Sequence, residues 1–163
     1  MNPSPTEYIR QTRDNYVKLG FEPYQWFEAD TAPAFTTLSK PLAESKLAMI
    51  STAGTYVAGQ VAYYYKDDTS IRAIAADTPV DKIRFSHIME NYLIEARLDP
   101  FTVYPAEALQ KLNSEGVIGS LTENYLSCMG GIYSKNRIAT ELIPNLEAAL
   151  AEEAPDILLL VPL

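Results

Sequence analysis

The chain has 163 residues, a net charge of −8, one cysteine and one histidine. That length fits about one domain, and the acidic balance with no Lys/Arg run excludes nucleic acid and anionic membrane as natural partners. A single cysteine excludes an intrachain disulfide framework and a cysteine-rich zinc site. No stretch approaches the ~20 apolar residues of a membrane span, and Met1 to Arg13 is polar and charged, so no signal region is read there. A cytoplasmic protein is expected.

The first expected element is a helix. Ser4-Pro5-Thr6-Glu7 reads as a capping box with proline at the first helical position, and Gly20 supplies the stop. Residues 21–41 mix Phe21, Tyr24, Trp26, Phe27 and Phe35 with Pro23, Pro33 and Pro41. They read as an irregular arm that wraps a core on aromatic anchors, or that binds a partner. Leu47 to Ser51 is the first buried strand, ending in Ser51-Thr52-Ala53-Gly54. Val57 to Tyr65 and Ser70 to Ala75 read as two further strands about a turn at 66–68. Ile83, Phe85 and His87 alternate as an extended segment, and Met89 to Arg97 reads as a weak helix.

Pro105 to Ser114 reads as a helix closed by Gly116, and Val117 to Leu121 as a short strand. Ser134 to Glu153 gives the clearest helical signal, with Ile138, Leu142, Leu146 and Leu150 every four residues. Pro144 within it predicts a kink or a split. Glu152 and Glu153 read as a solvated acidic face at its end. Ile157 to Leu163 reads as a buried strand.

Apolar strands alternating with helices predict an α/β fold: one domain over 1–163, with a parallel or mixed sheet and helices on both faces. Residues 1–41 form its arm and 42–163 the sheet region. Ligands of open α/β sheets bind at the carboxyl ends of strands. That selects Thr52-Ala53-Gly54, the segment following Gly119, and whatever follows Pro162.

An ordered set of short motifs lies on this frame. It runs through Lys40-Pro41-Leu42, Glu44-Ser45, Ser51-Thr52-Ala53-Gly54, Ser70 and Arg72, Asp77-Thr78-Pro79, and Ser86-His87. It continues with Val103, Pro105, Leu109, Leu112, Glu115-Gly116-Val117-Ile118-Gly119, Met129-Gly130 and Leu158 to Pro162. Over roughly residues 38–163 this set resembles the glycine/sarcosine/betaine reductase selenoprotein B family. The resemblance implies reductive cleavage of a C–N bond in a small amine. It also implies a cysteine or selenocysteine pair directly after the Leu-Leu-Val-Pro strand. This sequence stops at Leu163, so the reacting pair is expected from residues beyond it or from another chain. An external dithiol or selenol partner is implied, and no cofactor is evident. The segment from Met89 to Pro100 departs from the family pattern.

The candidate residues each carry two readings. Cys128 is the obvious nucleophile candidate, yet no neighbouring cation or helix start in the sequence lowers its pKa, which favours a buried structural thiol. His87 suits acid–base work near neutrality, or is a hydrogen-bonded loop histidine. Ser51, Thr52, Ala53 and Gly54 either offer backbone N–H groups to an anion or form a tight strand exit with Gly54 at positive φ. Asp77 either holds a substrate amine or starts a turn. Ser86 joins His87 as a candidate pocket residue. Tyr63-Tyr64-Tyr65 offers an aromatic wall for an ammonium group or is a half-buried strand.

Two functions follow. One is part or a subunit of a thiol- or selenol-dependent reductase acting on a small amine or related molecule. The other is a non-catalytic small-ligand-binding or scaffold protein working in a homo- or hetero-oligomer, since a C-terminal strand with no following helix leaves an edge to cover.

Overall fold

A computed structural model describes residues 7–23, 25–33, 36–88 and 90–163. The chain clusters into two units, Met1–Thr36 and Thr37–Leu163. The division falls ahead of the expected one at residue 41. Residues 37–41 are tied to the sheet region: Ser45 Oγ donates to the Pro41 carbonyl at 2.9 Å, and Lys40 pairs with Asp156 at 2.7 Å.

The first unit holds α1 (Tyr8–Lys18). It ends as expected, with the Gly20 and Phe21 amides donating back to the Val17 and Tyr16 carbonyls, each at 3.0 Å. Ser4, Pro5 and Thr6 of the capping box lie outside the described residues, as do Tyr24 and Phe35 of the arm. The described remainder of 21–36 has no regular structure, and Phe21 and Phe27 are exposed. The wrapping arm is thus not established.

The second unit is an α/β fold around a mixed sheet. Its first strand is β1 (Lys46–Ser51), followed by β2 (Thr55–Val57), β3 (Arg72–Ala75) and β4 (Ile83–Phe85). Then come α2 (Ile94–Leu98), α3 (Ala106–Ser114), β5 (Ser120–Leu121) and β6 (Asn124–Ser127). The chain closes with α4 (Lys135–Arg137), a π-helical turn (Ile138–Leu142), α5 (Ile143–Glu153) and β7 (Ile157–Val161). β1 pairs in parallel with β7 along one edge and with β5 and β6 along the other, and β3 pairs antiparallel with β6. β2 and β4 form a separate antiparallel ribbon.

β5 and β6 are one interrupted strand. Lys46 faces Ser120, but Ile50 faces Leu126, so two extra residues bulge out between them. The bulge at Thr122 and Glu123 hides this strand in the sequence: polar residues break the apolar run, so only its first part is legible. The Glu153 carboxylate holds the bulge, accepting from the Glu123 and Asn124 amides at 3.0 Å and from Asn124 Nδ2 at 2.9 Å. Glu153 is therefore a strand clamp, not part of a solvated acidic face.

Alternation along the strands sends side chains to both faces. Leu47, Met49, Tyr125 and Ile74 pack on one face with Ala106 and Leu109 of α3 and Ala96 of α2. Ile50, Leu126 and Cys128 pack on the other against Leu142, Leu146 and Leu150. Helices thus cover both faces, as expected. The break expected at Pro144 is also present. Proline has no N–H to give the Thr140 carbonyl, and the helix widens into its π turn immediately before it.

Two strands differ from expectation. Val57 to Tyr65 is not a strand: β2 ends at Val57, and 61–71 is irregular. Gly59 turns at φ 105°, and Tyr63 is drawn into the core, where its hydroxyl donates to the Ser127 carbonyl at 2.7 Å and Arg72 stacks on its ring at 4.4 Å. β7 is not fully buried. Its inward residues are half-buried, while Leu158 and Leu160 are 39% and 64% exposed, because α5 covers β1 and β6 and not this edge.

Candidate functional site

The parallel strands β1, β6 and β7 end together at Ser51, Ser127 and Val161. The chain segments leaving them meet there. Gly54 leaves β1 at φ 63°, which permits a sharp turn without Cβ strain. Its amide donates to the Cys128 carbonyl at 3.0 Å, and its carbonyl accepts from Ser86 at 3.0 Å. This brings Ser86 and His87, distant in sequence, against the Ser51–Gly54 loop.

The loop's backbone is fully committed. Thr52 donates to the Val161 carbonyl at 3.0 Å, Ala53 to Ser51 Oγ at 3.3 Å, and Thr55 to Ser127 Oγ at 2.9 Å. With Gly54 also bound, the amides form no anion-binding nest in this structure. The tight strand exit is the reading the geometry supports. Ser51 Oγ is likewise engaged, donating to the Val103 carbonyl at 2.8 Å.

β7 leads into the same junction. The Leu163 amide donates to Thr52 Oγ1 at 2.9 Å, and the Gly130 amide donates to the Thr52 carbonyl at 2.7 Å. A Cβ on Gly130 would stand 3.0 Å from the Thr52 carbonyl oxygen and 3.1 Å from the Leu163 oxygen. Gly130 is therefore the small residue that lets Thr52 and Leu163 approach. The loop after β6 takes the place expected for the segment following Gly119, because Ser120 only begins the interrupted strand.

His87 is buried to 5% exposure, and burial depresses its pKa, with Glu90 opposing. The imidazole is therefore neutral near pH 7, as a proton acceptor must be. Ser86 Oγ donates to the Tyr63 carbonyl at 3.0 Å. Cys128 belongs to the sheet face under α5, packed with Ile50, Leu126 and Leu142. Burial pushes its thiol up to about 11, so it is a thiol and not a thiolate at neutral pH. Asp77 is exposed in the turn beyond β3. β3 runs antiparallel, so Asp77 stands at the amino-terminal end of β6, where the Ala76 amide bonds to Glu123 at 2.9 Å. The fold gathers Ser51, Thr52, Ala53, Gly54, Ser86 and His87. It does not bring Asp77 to them.

Thr55, Tyr63, Ser127 and Gly130 also border this junction. Ser127 carries no signal in the sequence, because its position depends on chain crossings that no local pattern encodes. Among the described residues, no group of three or more His, Cys, Asp or Glu side chains could hold a metal ion. No described helix is long and apolar enough to cross a membrane.

The chain is similar to the D-proline reductase subunit gamma of Acetoanaerobium sticklandii. The two are 26% identical over 129 residues, which is 78% of this chain and 52% of the relative. The chain thus spans about half the length of the curated relative it matches. No family model and no solved structure matches. The likeness supports a relationship to reductase components and does not single out the glycine/sarcosine/betaine reductase selenoprotein B family.

Proposed function

We propose that this chain is part, or a subunit, of a thiol- or selenol-dependent reductase acting on a small amine or a related small molecule. The observation that carries the reading is the delivery of β7 into the strand-end junction. Leu163 sits on Thr52 and beside Gly130, at the junction where the Ser51–Gly54 loop meets Ser86. In open α/β sheets this is where ligands bind, and the likeness to a reductase subunit supports reductive chemistry. In this reading residues beyond Leu163, or a partner chain, supply the reacting cysteine or selenocysteine pair. His87 supplies a neutral base, and the Ser51–Gly54 loop with Ser86 shapes the pocket. Cys128 has no direct role in the chemistry, because its thiol is buried and protonated.

The test is to read the native message past the codon for Leu163, and to assay the intact protein with a dithiol donor and small cyclic or N-methylated amino acids. The reading expects a cysteine or selenocysteine pair close behind Leu163 and dithiol-dependent turnover. A message without such a pair, and no turnover with candidate partner subunits present, would overturn it.

The second reading is a scaffold or small-ligand-binding protein that works in an oligomer. It is favoured by the outer face of β7, where Leu158 and Leu160 lie exposed on a strand that, among the described residues, pairs only with β1. Such an edge is usually covered.

A further inference from the structure

The two faces of β7 are covered unequally. Ile157, Leu159 and Val161 pack against the larger core cluster on one face. Leu158 and Leu160 point to the other and are 39% and 64% exposed. In register they stand beside Ala48 and Ile50 of β1, so they lie on the sheet face that α5 covers over β1 and β6. Among the described residues β7 pairs only with β1, so the sheet edge beyond it is open.

The connection that builds this edge shows which element fits it. The chain runs from β6 through α5 to β7 and passes over β1, to which both strands are parallel. Crossovers between parallel strands of one sheet share a single, right hand. A further parallel strand outside β7 continues in the direction of the step from β6 to β7. A crossover of the same hand then lays its helix on the face where α5 lies. That is the face of Leu158 and Leu160. The exposed leucines and the handedness rule select the same place independently.

We propose that the outer face of β7 seats an amphipathic crossover helix, supplied by polypeptide that follows Leu163, with a parallel strand added at the open edge. Such a crossover takes about a dozen residues or more. The match to the D-proline reductase subunit gamma takes in 52% of that protein, so about half of the relative has no counterpart in this chain. The helix covers Leu158 and Leu160 beside α5. Its first turn lies at the carboxyl end of β7, where Leu163 meets Thr52. The seat needs a continuing chain but no reductive chemistry.

Leu160→Cys in the product of the full native gene tests the seat. The protein is labelled with iodoacetamide, native and in urea, and the label is located by peptide mass. We expect an intact mass above that of residues 1–163. Labelling at position 160 should be at least about 10-fold slower in the native protein than in urea, at every protein concentration. Leu158→Cys should behave alike and replaces it if the first variant does not fold. Leu98→Cys, at a site on α2 that is 77% exposed, is the control and should label within about 2-fold of its rate in urea. A mass equal to residues 1–163, or labelling at 160 as fast as at 98, overturns the proposal. So does protection that appears only as protein concentration rises, because a second copy is then the cover. A continuing chain without a cysteine or selenocysteine pair sinks the reductase reading and leaves this one standing. Dithiol-dependent turnover with position 160 unprotected does the reverse.

Discussion

Gly54 lies so close to Ser86 that a Cβ on it would stand 1.9 Å from the Ser86 carbonyl oxygen. The contact is backbone to backbone, so no side chain can swing aside. Gly54→Ala must therefore meet both the left-handed φ of 63° and a displacement of the Ser86–His87 segment. We expect a loss of at least about 2 kcal/mol, read as a lower urea midpoint at unchanged slope. Gly116→Ala is the control. Its φ is 73°, but nothing lies within 4 Å of its added Cβ, so it should lose only about 1 kcal/mol. Equal losses at the two positions would disprove the role given to the close approach.

Cys128 should be inert in the folded protein. With its pKa pushed up to about 11 by burial, its alkylation near pH 8 should be at least about 100-fold slower than that of the unfolded chain. Labelling with iodoacetamide, native and in urea, followed by mass measurement, checks this. Native labelling at the rate of a free thiol would return Cys128 to the list of nucleophiles.

Glu153 gives the fold a pH dependence. Burial disfavours its charge, but the Asn124 side chain and the Glu123 and Asn124 amides outweigh this and hold its pKa below the ordinary carboxylate value. A depressed carboxylate stabilises above its unfolded pKa and loses that contribution as pH falls through the folded one. Glu153→Gln should cost roughly 1–2 kcal/mol near neutrality through weakened hydrogen bonds. The gap from wild type should close as the medium becomes more acid than the ordinary glutamate pKa. Urea titrations at neutral and acid pH measure it. A gap that stays constant with pH would mean the clamp is not ionic.

Leu160 tests the oligomer reading. Because Leu160 is 64% exposed, Leu160→Lys should change stability by no more than about 0.5 kcal/mol. If β7 is an assembly face, the same change should abolish self-association in light scattering. A wild-type chain that stays monomeric at high concentration would remove the homo-oligomer form of that reading.

The strand-end junction was only half legible in the sequence. Ser51–Gly54 shows itself because a buried apolar run ends abruptly in small residues. Ser86 and His87 stand out as a motif, but their partnership with Gly54 follows from a β2–β4 ribbon that local pattern does not announce. Glu153 reads as a surface acid, since only the fold reveals the bulge it clamps. Asp77 reads as a site residue but lies at the opposite end of the sheet, because β3 runs against its neighbour.

The sequence by itself determined the class of fold and several of its breaks. Period-two and period-four spacing, Pro144 and Gly20 act through local sterics and burial, which neighbours in the chain suffice to express. Tertiary structure alone decided which strands lie side by side and in which direction. It therefore also decided that Thr52, Gly130 and Leu163 meet, that Cys128 is sealed under α5, and that the Tyr104 and Tyr125 rings pack edge to face. Those outcomes depend on long-range pairing, where each strand finds its register by burying a face against partners tens of residues away.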